Sequence, residues 1–142
     1  MLDVKGHAVP QGHYINGSWI DGDGSYAVFS PINGEILGEM PAGTEADVQA
    51  AVASAHSAFP AWAALGAEGR LPILKRFANE ISKRADALCE VESADAGILL
   101  SRLQHGIIPR SMLNITWFAE AALTLQDRVI ETAQAKHYVR HD

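Results

Sequence analysis

The sequence predicts an α/β chain in which small antiparallel strands lead into a run of helices, and three observations carry that reading. Ahead of Met40, short apolar stretches alternate with Gly, Asn and Asp punctuation. From Thr44 onward the apolar period changes from about two to about 3.6 residues. The composition, 142 residues with 48% hydrophobic and 20% charged, is that of one ordinary soluble domain at most.

Tyr14 to Ile20, Tyr26 to Phe29 and Glu35 to Met40 read as strands, each apolar-rich and bounded by glycine or Asx residues. Asn16-Gly17 sits inside the first and predicts a two-residue turn folding Tyr14-Ile15 back on Ser18-Trp19-Ile20. Asp21 to Gly24 and Pro31 to Gly34 supply two further reversals, so these stretches are expected to form one small antiparallel unit. Thr44 followed by Asp47 resembles a capping box, the hydroxyl accepting from a first-turn amide and the carboxylate favoured by the helix dipole. Val48, Ala51, Val52, Ala55, Phe59 and Trp62 then share one helix face, and Pro60 is expected to kink or end the helix.

A second helix is expected after Gly66. Leu71, Leu74, Phe77, Ala78, Ile81, Ala85 and Leu88 would lie on its buried side and Arg70, Lys75, Arg76, Lys83 and Arg84 outside. Pro72 fits only near its start, and Gly97 is a plausible stop. A third helix is expected from about Pro109, with Met112, Leu113, Ile115, Trp117, Phe118, Ala121, Ala122 and Leu125 making a wide apolar surface that expects cover on several sides. Arg128 to Asp142 alternates and reads as one more strand, without a partner strand nearby. No internal repeat or low-complexity tract occurs.

Charge and cysteine content narrow the function classes. The formal net charge is −6, with seven acids against Lys5 alone before residue 61, which disfavours nucleic acid as a partner. Cys89 is the only cysteine, so an intrachain disulfide and a multi-thiolate metal site are ruled out, and a cytoplasmic location is expected. Met1 to Gly12 has no apolar core of a secretory signal. Val48 to Ala67 is uncharged and long enough to span a membrane, but Gln49, Ser54, His56, Ser57 and Pro60 argue against it.

The titratable side chains suggest little chemistry of their own. Of the six histidines only His137 and His141 share a helix-like spacing, and in a strand that interval is about 13 Å. Gly22-x-Gly24 lacks the third glycine of a dinucleotide fingerprint, Ala27 standing there, and no Walker-type loop occurs. Cys89 falls inside a helix beside Glu90 and Glu92, which would raise its pKa, so it reads as a packing residue rather than a nucleophile. Glu90, Glu92 and Asp95 are candidates for a carboxylate cluster serving acid/base work or a cation, but only 92 and 95 share a helix face, and acids on a solvated helix end are the preferred reading.

Taken in order, His13-Tyr14-Ile15-Asn16-Gly17-Ser18-Trp19, Phe29 to Leu37, Asp47-Val48 through Ala58-Phe59-Pro60-Ala61-Trp62, Arg70 to Leu74, and Glu92-Ser93-Ala94-Asp95-Ala96-Gly97 resemble the amino-terminal part of the NAD(P)-dependent aldehyde dehydrogenase superfamily. The match runs from about His13 onward but over well under half of such an enzyme. Ile108-Pro109-Arg110 and Trp117 to Glu120 further resemble the branch oxidising hydroxymuconic-type semialdehydes. The resemblance implies that residues 1–127 are the incomplete amino-terminal part of a cofactor-binding domain, and that 128–142 begin an oligomerisation β arm. It implies NAD or NADP as cofactor of the full-length enzyme, the rest of the polypeptide as partner, and a homo-oligomer.

In such enzymes a cysteine thiolate attacks the aldehyde, an asparagine amide and a backbone N–H hold the oxyanion, hydride passes to the nicotinamide, and a glutamate-activated water releases the acid. The motifs of those residues, Phe-x-x-x-Gly-x-x-Cys, Glu-Leu-Gly-Gly and Pro-Trp-Asn, do not occur in these 142 residues, and Cys89 does not match the first. No catalytic or cofactor-binding residue is therefore assigned, and the chain alone is expected to be inactive. The resemblance also implies a monovalent cation held by the backbone of Val28 and Phe29 and the carboxylate of Asp95, hard oxygen donors of suitable kind. Ser30 replaces the usual asparagine before Pro31, and Ile98-Leu99 the usual Lys-Pro after Gly97. The rival reading is a free-standing, non-catalytic helical module that dimerises through the wide apolar face of the third helix.

Overall fold

A computed structural model describes residues 1 to 140. It opens with three consecutive hairpins: β1 (Leu2–Val4) with β2 (His7–Val9), β3 (His13–Ile15) with β4 (Ser18–Ile20), and β5 (Ser25–Phe29) with β6 (Ile36–Pro41). Asn16 and Gly17 both take positive φ, 51° and 79°, so the expected two-residue turn forms and pairs Tyr14 with Trp19. The expected single antiparallel unit is instead a set of separate two-stranded sheets. The first hairpin was not foreseen. Its turn is Lys5-Gly6, with φ of 56° and 82°, and the Gly6 amide donates to the Asp3 carboxylate at 3.1 Å.

Thr44 starts α1 (Glu45–Ala64) through a complete capping box: the Asp47 amide donates to the Thr44 hydroxyl at 3.2 Å and the Thr44 amide to the Asp47 carboxylate at 2.8 Å. Pro60 does not end the helix, which runs one turn further to Ala64. The second expected helix divides at Arg84 into α2 (Gly66–Lys83) and α3 (Ala85–Ala96). Its Pro72 lies in the second turn of α2 rather than at the start, where only the Glu68 carbonyl loses its usual amide partner. Gly97 ends α3 in the left-handed conformation, φ 68°, as expected of a glycine stop.

The third helix begins earlier than expected. A turn at Leu100–Arg102 (α4) passes through a π-turn at Leu103–Ile107 into α5 (Ile108–Ala121). Pro109 has no amide to donate, and the wider i to i+5 spacing, with Ile108 N–H on the Leu103 carbonyl, carries the chain into it without a break. Downstream, Arg128 onward is a hairpin rather than one strand: β7 (Arg128–Glu131) pairs with β8 (Lys136–Val139), closed by the Thr132 amide on the Ala135 carbonyl at 2.8 Å. The single-strand reading failed because Thr132 to Ala135 carries neither glycine nor proline to announce a turn. His137 lies in β8, whereas His141 and Asp142 lie outside the described residues.

Few side chains are fully enclosed. Leu103 (0% exposed) and Cys89 (1%) are the largest, joined by Val4, Ile15, Ala78, Ala94 and Ala119. α2 packs on α5, and Lys75 bridges to Glu120 at 2.7 Å across that contact. Much of the expected buried surface stays open: Val48, Val52 and Phe59 on α1, Phe77 and Leu88 after it, and Leu113, Trp117 and Phe118 on α5 are all exposed. Phe77 and Leu88, expected on the buried side of their helix, thus stand open, and nothing among the described residues covers these faces. No helix among the described residues is long and apolar enough to cross a membrane.

Candidate functional site

Two concavities concern function. The first lies where the β1–β2 hairpin, the β5–β6 hairpin and α3 meet, and has a volume of about 440 Å³. Leu2, Val4 and Val9 form one side, and Val28 of β5 with Leu37 and Met40 of β6 form another. α3 contributes Val91 and Asp95, and Tyr26 completes the wall. A β-bulge shapes the middle face: Val28 opposes Gly38 and Phe29 opposes Ile36, so Leu37 is the unpaired extra residue that the cavity receives. Gly38 permits the approach of the first hairpin, since a Cβ there would run into the Leu2 side chain. His7 fixes that hairpin from the other side, its Nε2 lying 2.8 Å from the Glu90 carboxylate on α3.

The structure thus brings Val28 and Asp95 to one cavity, from positions far apart in the chain. Phe29 is not on its wall; it follows the bulge and is 57% exposed. Asp95 is the one charged residue on this lining, whose other residues are apolar apart from the Tyr26 phenol. Among the described residues no group of three or more His, Cys, Asp or Glu side chains is placed to hold a metal. Glu90, Glu92 and Asp95 do not act together: Glu90 is engaged by His7, while Glu92 and Asp95 are both exposed, Asp95 at the edge of the cavity.

Cys89 is buried in α3, and burial, then the charges of Asp86 and Glu90, push its thiol above the usual range. That holds it protonated and unreactive at neutral pH. Two carboxylates move the other way. The Thr44 backbone amide, then its hydroxyl, lowers Asp47, and Lys83, then Arg84, lowers Glu80 to about 2.

The second concavity is a groove of about 560 Å³ between the end of α1, α2 and α5. Trp62, Leu74, Phe118 and Leu125 give it an apolar floor, with Arg70 and Asn114 at its edges. Trp62, Leu74, Ile115, Phe118, Ala122 and Leu125 are residues the sequence marks as apolar helix faces, whereas Arg70, expected on the outer side of its helix, also lines the groove. The first cavity was harder to foresee. It depends on the unanticipated β1–β2 hairpin, whose only sequence signal is Lys5-Gly6 between alternating Leu2, Val4, His7 and Val9.

A family model for the aldehyde dehydrogenase family matches residues 19–142. The chain belongs to the aldehyde dehydrogenase family. It is 33% identical over 108 residues to the 5-carboxymethyl-2-hydroxymuconate semialdehyde dehydrogenase of Escherichia coli, a match covering 76% of this chain and 23% of that protein. The crystal structure of PnpE from Pseudomonas sp. WBC-3 superposes with a TM-score of 0.80 at 32% identity, covering 87% of this chain and 26% of PnpE. A PnpE structure in complex with nicotinamide adenine dinucleotide gives 0.79 at the same identity. The chain therefore spans about a quarter of the length of the relatives it matches, as an amino-terminal portion. The helices and small antiparallel strands are those of that portion of the family fold.

Proposed function

We propose that this aldehyde dehydrogenase chain supplies the amino-terminal part of an enzyme that oxidises an aldehyde, a semialdehyde of aromatic catabolism, to a carboxylic acid. NAD or NADP, bound mainly by the rest of the polypeptide, would supply the hydride acceptor. Residues 1–127 belong in this reading to the cofactor-binding domain and 128–142 to the start of the arm through which a homo-oligomer forms. The observation that carries it is the coincidence of a family match over residues 19–142 with unpartnered apolar faces on α1 and α5. Val48, Val52, Phe59, Trp117 and Phe118 expose more hydrocarbon than a chain of this size leaves uncovered without a partner.

What this chain's own residues do is structural. Leu103 and Cys89 are enclosed where α3 meets the π-turn, and the groove holding Trp62, Leu74 and Phe118 offers a ready-made seat for the remaining polypeptide. The nucleophile, base and oxyanion groups come from the rest of the enzyme, since their motifs are missing from this sequence. Purified alone, the chain should form no NADH or NADPH from 5-carboxymethyl-2-hydroxymuconate semialdehyde. Sustained turnover by the 142-residue chain would contradict the reading.

A further inference from the structure

We propose that the Asn16-Gly17 turn is a site of spontaneous backbone modification in this chain, at which Asn16 loses ammonia and becomes aspartate or isoaspartate. The sequence holds two Asn-Gly steps, Asn16-Gly17 and Asn33-Gly34, each preceded by isoleucine and each exposed in a hairpin loop. The reaction uses the amide nitrogen that follows the asparagine, and a glycine there, having no Cβ, leaves that nitrogen unhindered. Sequence and exposure are thus alike at the two steps, and hydrogen bonding separates them.

At Asn33 both reacting groups are held. Its Nδ2 donates to the Glu35 carboxylate at 2.7 Å, its Oδ1 accepts from the Glu35 amide at 3.1 Å, and the Gly34 amide donates to the Ser30 carbonyl at 2.8 Å. At Asn16 the one hold among the described residues is on the carboxamide oxygen, which accepts from the Ser54 hydroxyl at 3.4 Å. The Gly17 amide meets no acceptor among the described residues, and a Cβ added at Gly17 would touch nothing within 4 Å, so the turn has room to rearrange.

In the step, the Gly17 nitrogen gives up its proton and bonds to Asn16 Cγ, the Cγ–Nδ2 bond breaks, and ammonia leaves. Water then opens the cyclic imide. Breaking the new Cγ–N bond gives aspartate; breaking the bond from the backbone carbonyl gives isoaspartate, whose main chain runs through Cβ and Cγ. That longer main chain does not fit a two-residue turn, so the Ile15–Ser18 pair loses its register and the β3–β4 hairpin its closure. The proposal rests on this turn alone and stands or falls independently of the oxidation chemistry.

The experiment is peptide mapping by mass spectrometry of the 142-residue chain aged at mildly alkaline pH, folded and in urea. In the folded chain Asn16 is expected to convert at least about tenfold faster than Asn33, the factor for freeing one or two ordinary hydrogen bonds. In urea the two rates should converge, and Glu35→Ala should speed Asn33 while leaving Asn16 unchanged. Equal rates in the folded chain, or a faster Asn33, would overturn the proposal. So would an advantage of Asn16 that persists in urea, which would trace it to the flanking sequence rather than the fold. The comparison of the two steps on the unaltered chain decides the matter whether or not the variant folds.

Discussion

His7 and Glu90, 83 positions apart in sequence, meet at 2.8 Å and join the first hairpin to α3. Without that contact the hairpin would rest on its apolar side chains, Val4, Val9 and the seating of Leu2 against Gly38. Both partners are partly exposed, so the pair is worth at most about 1 kcal/mol. Glu90→Gln should raise hydrogen exchange of the β1 and β2 amides while leaving the global melting temperature nearly unchanged. Unaltered exchange would show that the apolar contacts hold the hairpin by themselves.

Gly38 tests the same seam sterically. Gly38→Ala drives a Cβ into Leu2 and should cost about 1 to 3 kcal/mol, the range of an overpacked site. Shortening the opposing side chain in Gly38→Ala/Leu2→Ala should recover part of the loss. Additive single-mutant effects in denaturant unfolding would mean that the two residues do not press on each other.

Leu103 is fully enclosed at the start of the π-turn. Leu103→Ala leaves a cavity where α3 and α5 converge and should cost about 2 to 5 kcal/mol in urea unfolding. A cost below about 1 kcal/mol would mean that the helices do not depend on this anchor.

Acid should destabilise the chain through carboxylates whose folded pKa is depressed. Asp47 and Glu80 stay ionised in the fold below the pH at which they protonate in the unfolded chain, so their stabilisation is present above the ordinary carboxylate range. It is lost as pH falls from that range toward about 2, the folded value of Glu80. Glu80→Gln should lower the melting temperature slightly above the ordinary carboxylate range and change it little near pH 2, so that the melting temperature varies less with pH over that interval. At the other carboxylate, Thr44→Ala should lower stability by about 1 kcal/mol through the lost cap of α1.

The parts legible in the sequence are those fixed by local chemistry. Asn16-Gly17 declared its turn, Thr44 and Asp47 their capping box, and Gly97 its left-handed stop, because each acts on backbone within a few residues. The earlier start of the third helix was hidden by Pro109, which normally marks a helix beginning and here follows a π-turn that tolerates it. The β7–β8 hairpin was hidden because Thr132 makes the turn through its own hydroxyl and amide rather than through glycine. Of the expected site, Asp95 and Val28 do share a cavity, but the long-range placement of Leu2 and Val9 that makes it apolar left no local trace.

The most direct measurement is activity of a chimera in which this chain replaces the matching amino-terminal quarter of the Escherichia coli 5-carboxymethyl-2-hydroxymuconate semialdehyde dehydrogenase. The relative truncated of that quarter should be inactive, and the chimera should regain reduction of the nicotinamide cofactor with the relative's semialdehyde. Charging the groove with Phe118→Asp should abolish the gain. A soluble, assembled chimera with no turnover would contradict the assignment of this chain as the working amino-terminal part of such an enzyme.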